Sequence, residues 1–230
     1  MEFKGGMTLQ LVTVDFDGTL FQGDSFKLMF QAGKKEFGIR EWSTVLIGTV
    51  QALFLGMTKG KHALRIHFFK AFAKTFKGKT EKELGHFFDE LIEAGKNQIN
   101  EPLVHKIKEH QENGMQVIIL SGALKPFLDA LTEKLGLTVT TIGTELCFEQ
   151  DGKCTGETGP VINGEEKVQA VTNWLEKLQL EPEETEIWAY ADSKSDIPLL
   201  HFVDKPMIVN PKNGMREVAK TNQWPIFGGN

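Results

Sequence analysis

Five short apolar runs constrain this chain more than any other feature: LQLVTV at 9–14, QVIIL at 116–120, LTVTTI at 137–142, EIWAY at 186–190 and PMIV at 206–209. Each has the length of a strand. Stretches with apolar residues three and four apart separate most of them, over 101–113, 124–135 and 165–179, with Gly114 and Gly136 as stops after the first two. Strands that alternate with helices imply a parallel sheet covered on both faces, with any ligand beyond the carboxyl ends of the strands. The fold class expected is therefore α/β, a doubly wound parallel sheet.

The interval between the first two runs breaks that rhythm. Residues 21–100 read as helical throughout, and they carry 13 Lys and Arg against 8 Asp and Glu, whereas the rest of the chain carries 13 against 23. A basic helical unit inserted into an acidic α/β core accounts for both observations. The expected domains are a core of 1–20 with 101–230 and an inserted helical subdomain of 21–100. A small hairpin is expected over 145–156, turning at Asp151-Gly152. In a two-residue register Cys147 faces Gly156 and Cys154 faces Glu149, so the two cysteines are not cross-strand partners. Reduced thiols and a cytoplasmic location are the expectation. The first ten residues, MEFKGGMTLQ, lack a signal-peptide pattern, and no segment reaches the ~18 uninterrupted apolar residues of a membrane span.

The strand ends carry the chemistry. The first strand runs into DFDGT, where Asp15 and Asp17, two positions apart, lean toward the same side if the extended geometry persists. Two like charges there need a shared proton, a cation or a row of donors. A plain Asp-Gly turn is the competing explanation. The second strand runs into Ser121-Gly122 at the expected start of a helix, a place suited either to a phosphate or to a simple serine cap. The fourth runs into ADSKSD, adding Asp192 and Asp196. Four carboxylates at one sheet edge call for a divalent ion, and hard oxygen ligands favour Mg²⁺. Lys167 stands in the first turn of its helix, where the dipole disfavours a cation; reaching a phosphate would explain it, and so would exposure to solvent.

In order and spacing, DFDGT at 15–19, LSG at 120–122, Lys167 and DSKSD at 192–196 resemble the four motifs of the haloacid dehalogenase superfamily of phosphatases. The stretch AYADSKSDIPLLHFVDKPMIVNP is especially similar to the subfamily that includes phosphoserine phosphatase. Ala191, Ser193 and Ser195 depart from the Gly-Asp-Gly and Asn-Asp usual in phosphoserine phosphatases. The resemblance implies a Rossmann-like core with a helical cap inserted after the first motif. It implies a Mg²⁺-dependent phosphomonoesterase in which Asp15 attacks phosphorus and Asp17 serves as general acid and then base. Mg²⁺ would be held by Asp15, the Asp17 carbonyl and Asp192, with Asp196 supporting. Ser121 and Lys167 would hold phosphoryl oxygens, with Thr19 and Gly122 positioning backbone around them. Asp24 falls where phosphoserine enzymes place an acid facing the substrate amine; a turn acid beside Gly23 explains it equally well.

The expected substrate is a small phosphate monoester such as phosphoserine, and the insert raises a second class. WSTVLIGTVQALFLGMT at 42–58 has no charge, and KGKHALRIHFFKAFAKTFKGK at 59–79 is basic and rich in phenylalanine. On one helical face recur Leu64, Phe68, Phe72 and Phe76, with Lys70, Lys74 and Lys77 off it. An internal packing face explains this pattern, and so does contact with an anionic membrane or an amphiphilic phosphate. Some members of the subfamily are thought to act on phosphatidylglycerophosphate. Arg65 and Lys61 are the cap cations singled out for substrate contact. A phosphotransferase could share every core motif. A receiver-like module would group similar residues, but it would have to preserve its aspartyl-phosphate, which Asp17 is poised to hydrolyse. Nucleic acid is not an expected partner, because the acidic core repels a phosphate backbone. The six histidines show no metal-ligand spacing.

Overall fold

A computed structural model of the chain describes residues 9–39, 42–48, 50, 66–67, 70–212 and 214–228. Strand β1 (Leu9–Val14) leads into helix α1 (Ser25–Glu36), a helical stretch over 42–48, and helix α2 (Glu81–Gly95). Then follow α3 (Glu101–Glu112), β2 (Gln116–Leu124), α4 (Lys125–Lys134), β3 (Thr140–Thr144), and the antiparallel pair β4 (Leu146–Phe148) and β5 (Cys154–Thr158). The chain continues through α5 (Glu165–Lys177), β6 (Thr185–Ala191), α6 (Ile197–Phe202), β7 (Lys205–Val209), α7 (Met215–Asn222) and β8 (Ile226–Phe227).

Six of these strands form one parallel sheet in the order β3-β2-β1-β6-β7-β8. The chain winds outward from β1 first to one side and then to the other, so β1 is the switch point where connections diverge. Its residues alternate between two buried layers. Val12 and Val14 face an apolar cluster with α2, α3 and α4, while Leu9 and Leu11 face a second cluster with α5, α6 and α7. Burial on both faces is what continuous apolar strands such as QVIIL require. Val14 pairs with Ile119 on one side and Tyr190 on the other, which brings the residues just past the three central strands to one edge.

The insert enters and leaves through paired backbone. Asn100 N–H donates to Leu20 O (2.9 Å), Gln22 N–H donates to Gln98 O (2.7 Å), and Phe21 bridges Ile99. Phe72 and Phe76 are buried and in ring contact at 5.6 Å, Phe76 meets Phe87 at 5.3 Å, and Phe88 reaches Phe127 of α4 at 6.0 Å. Lys70, Lys74 and Lys77 are exposed, as their position off that face predicts. Leu64 and Phe68 lie outside the described residues. No helix among the described residues is long and apolar enough to cross a membrane.

Three local expectations need correction. Strand β2 runs through Ser121 to Leu124, so Ser121 is not the cap of a helix. Pro126, whose missing N–H costs nothing in a first turn, sets the start of α4 at Lys125 instead. Strand β3 begins at Thr140 rather than 137, because Gly136 takes a left-handed φ of 65° and Leu137 N–H returns to Thr132 O (3.0 Å), closing α4. In the hairpin Cys154 faces Phe148, not Glu149, since the register shifts between the two pairs and Gly156 holds φ at 78°. Both cysteines are free thiols.

Candidate active site

Past β1 the chain makes a tight loop rather than continuing as a strand. Asp15 is anchored by its N–H to Tyr190 O (2.9 Å), and Leu20 and Phe21 N–H return to Asp15 O and Phe16 O. Gly18 sits at φ 92°, and a Cβ there would fall 1.9 Å from Asp192 Oδ2, so this turn accepts only glycine.

The loop lays Asp15 into a buried charge cluster. Exposure is 8% for Asp15, 3% for Lys167, and 1% each for Asp192 and Asp196. Lys167 Nζ lies 2.6 Å from Asp15 Oδ1 and 2.5 Å from Asp196 Oδ1, while Thr19 Oγ1 donates to Asp15 Oδ2 (3.2 Å) and Ser193 Oγ to Asp196 Oδ2 (2.7 Å). Burial pushes the Asp15 carboxyl up to about 7, against Lys167 and with help from Asp196 and Asp192. Burial by itself would lower the Lys167 ammonium; Asp15 and Asp196 more than offset it and hold it above its ordinary range. Asp192 is raised too, by burial first, with Lys212 opposing. A lysine at the start of α5, out of place by the dipole rule, is thus spent on two carboxylates.

Asp17 stands apart from this cluster. Its two carboxylate oxygens accept from Ser25 N–H (2.6 Å) and Ser25 Oγ (2.9 Å) at the start of α1. The expected convergence of four carboxylates is therefore a convergence of three. The first loop turns Asp17 toward α1, where donors are available.

A cavity of about 80 Å³ opens on this edge, with Asp15, Asp17, Ser121, Gly122, Lys167 and Asp196 on its polar side. Phe26, Ile66 and Val161 supply apolar wall. Gly122 lets the Ile162 backbone come close, since a Cβ would meet Ile162 O at 3.0 Å. Thr19 is fully buried and does not line the cavity, and its hydroxyl donates to Asp15. Asp24 caps α1, accepting from Phe26 N–H (3.0 Å) and Lys27 N–H (3.2 Å), and it borders a neighbouring groove rather than this cavity. Arg65 and Lys61 lie outside the described residues.

The donor set suits a hard divalent ion. One oxygen from each of Asp15, Asp192 and Asp196 lies within 4.8 Å of the others. Asp192 Oδ2 is buried, and Lys212 Nζ makes an ion contact with it at 2.5 Å. A buried carboxylate oxygen beside two others could serve as a metal ligand.

Ser25 and Lys212 escaped sequence reasoning. Ser25 carries no signal of its own eight residues from Asp17, because only the folded loop brings them together. Lys212 had one: it follows strand β7 at the same edge that supplied Asp15, Ser121, Asp192 and Asp196.

The cavity lies at the switch point of a doubly wound sheet, where such folds bind ligands, and is lined by acids and a buried lysine. Residues 12–201 match the haloacid dehalogenase-like hydrolase family, and the chain belongs to it. It is 30% identical over 123 residues to a histidinol-phosphatase of Neisseria meningitidis, covering 53% of this chain and 55% of that protein. To a phosphoserine phosphatase of Mycobacterium tuberculosis it is 28% identical over 153 residues, 62% of this chain and 48% of the other. The chain spans about half the length of these curated relatives. A protein of unknown function from Bordetella pertussis has a similar structure, with a TM-score of 0.80 at 23% identity over 96% of this chain and 98% of that one.

Proposed function

We propose that this chain is a Mg²⁺-dependent phosphomonoester hydrolase that works through an aspartyl-phosphate on Asp15. The observation that carries this reading is the division of labour between two acids on one cavity: Asp15 inside the charge cluster, Asp17 outside it and held by Ser25. An Asp15 carboxylate oxygen attacks phosphorus as the bond from phosphorus to the ester oxygen breaks, and protonated Asp17 gives its proton to the departing alkoxide. Asp17, now ionised, takes a proton from water, whose oxygen attacks phosphorus and displaces the Asp15 carboxylate. Inorganic phosphate leaves and both acids return to their starting states.

Lys167 and the Ser121 hydroxyl stand where they can hold phosphoryl oxygens. When bound, Mg²⁺ would be held by Asp15, Asp192 and the Asp17 carbonyl, with Asp196 in support, and would offset the negative charge of the phosphoryl group. The substrate proposed is a small phosphorylated metabolite, of the kind named in the two relatives, and the free thiols suit a cytoplasmic setting. Asp24, engaged in capping α1, lends no support to an amine contact.

One observation favours a lipid headgroup monoester as a second reading: Ile39, Leu46, Ile47 and Val50 of the insert are 60% exposed or more. A panel of phosphoserine, other phosphorylated amino alcohols, sugar phosphates and phosphatidylglycerophosphate, assayed for phosphate release with and without EDTA, tests both readings. Asp15→Asn should abolish release with the fold intact. Turnover that survives in that variant, or in EDTA, contradicts the mechanism.

A further inference from the structure

Among the described residues two lysines reach the carboxylate cluster, and they differ in how they are held. Lys167 is buried and engages Asp15 and Asp196 from inside the fold. Lys212 comes from the loop after β7 with a side chain 48% exposed. Its backbone N–H donates to Asp192 O (3.1 Å), and its Nζ lies 2.5 Å from Asp192 Oδ2 and 3.4 Å from Asp17 O. Those two oxygens are ones assigned above to the divalent ion. The fit around the ammonium is close, since a Cβ on Gly18 would fall 2.1 Å from it.

We propose that Lys212 is an exchangeable counter-ion of the metal site: its ammonium and the divalent ion compete for Asp192 Oδ2 and the Asp17 carbonyl, and metal entry displaces the lysine outward. This rests on the metal reading above. Three buried carboxylates, if all are ionised, face one permanent cation in Lys167, which leaves a surplus of two negative charges. The Lys212 ammonium reduces the surplus to one, and a divalent ion in its place removes it. Retaining both cations on the same two oxygens would set them against each other at contact distance. A lysine suits the exchange, because a single charge on a flexible four-carbon stem can leave without moving the backbone. Space is at hand in the groove of about 530 Å³ that Lys212 shares with Gln22, Gly23, Asp24 and Lys27. Lys212 thus acts as a positioning residue that keeps the site assembled between metal-binding events.

The test is calorimetric titration of the whole chain with MgCl₂ alone, in the wild type and in Lys212→Met. Removing the competitor should tighten Mg²⁺ binding by about 10-fold, in the usual range of coupling between competing ligands. In EDTA the same variant should melt below the wild type, and saturating Mg²⁺ should close that gap. A lysine that merely braces the loop would leave Mg²⁺ affinity unchanged or weaker when removed, and that result in a folded variant overturns the proposal. A second measurement needs no variant: acetylation of wild-type lysines, read by mass spectrometry, should rise at Lys212 on adding Mg²⁺. Equal or reduced labelling there overturns the proposal too. Wild type that takes up no Mg²⁺ refutes the metal reading itself, a failure distinct from wild type that binds Mg²⁺ while Lys212→Met binds it no better.

Discussion

The carboxyl edge of the sheet and the outer face of the insert both invert the ordinary partition of residues, in opposite senses. At the sheet edge charges are buried, with Asp15, Asp192, Asp196 and Lys167 each at 8% exposure or less. On the insert apolar side chains stand in the open, from 60% at Ile47 and Val50 to 92% at Ile39. The first inversion is compensated in large part, since Lys167, Thr19 and Ser193 reach oxygens of Asp15 and Asp196 and Lys212 reaches Asp192. The second is not compensated among the described residues. Buried charge is tolerable only with partners in place, whereas an exposed leucine costs the fold little, so the two regions should answer mutation very differently.

Lys167→Met should have the largest effect. Losing the cation buried between them leaves Asp15 and Asp196 facing each other, a change of the kind that costs about 3–5 kcal/mol. Urea unfolding in EDTA measures it, and a loss under about 1 kcal/mol would break the comparison. Ser25→Ala comes next. Asp17 loses the Ser25 hydroxyl as a donor, so kcat should fall about 10- to 100-fold while stability falls by about 1 kcal/mol. An unchanged kcat would mean that the Ser25 hydroxyl does not orient the proposed proton-transfer group.

His110 offers a smaller, pH-dependent contrast away from the site. Buried between Tyr190 Oη and Met115 Sδ, both at 2.9 Å, it is depressed below its ordinary value by burial first and by Lys106 second. The unfolded chain therefore binds the proton more readily. The stability that neutral His110 contributes is complete above its unfolded pKa of about 6.5 and is lost as pH falls below it. Unfolding curves for wild type and His110→Gln should consequently draw together between pH 8 and pH 5. A gap that stays constant would show that burial does not hold the imidazole neutral.

The smallest effect on stability is expected from Leu46→Ser with Ile47→Ser, under about 0.5 kcal/mol for each exposed site. A larger loss by thermal melt would show that these side chains are packed in solution. Co-sedimentation with phosphatidylglycerol vesicles sharpens the second reading of function: retention by wild type and not by the double variant supports it, and no retention by wild type removes it.

By itself the sequence determined the sheet, the helices on its two faces and the list of acids at the strand ends. Runs such as QVIIL can be satisfied only between two layers, and in a parallel sheet each strand ends on the same edge as its neighbours. Periodicity and position carry that information along the chain. Only the tertiary structure decided how those acids are used. The loop at Gly18 turns Asp17 away from Asp15 and onto Ser25, a capping interaction claims Asp24, Pro126 removes Ser121 from a helix end, and Lys212 arrives from a loop that no spacing rule connects to Asp192. The reason is that hydrogen bonds and ion pairs are settled within about 3 Å, between groups as much as 195 positions apart in the chain. Sequence patterns resolve which face or which edge a residue occupies, and contact at that range is a matter for the folded molecule.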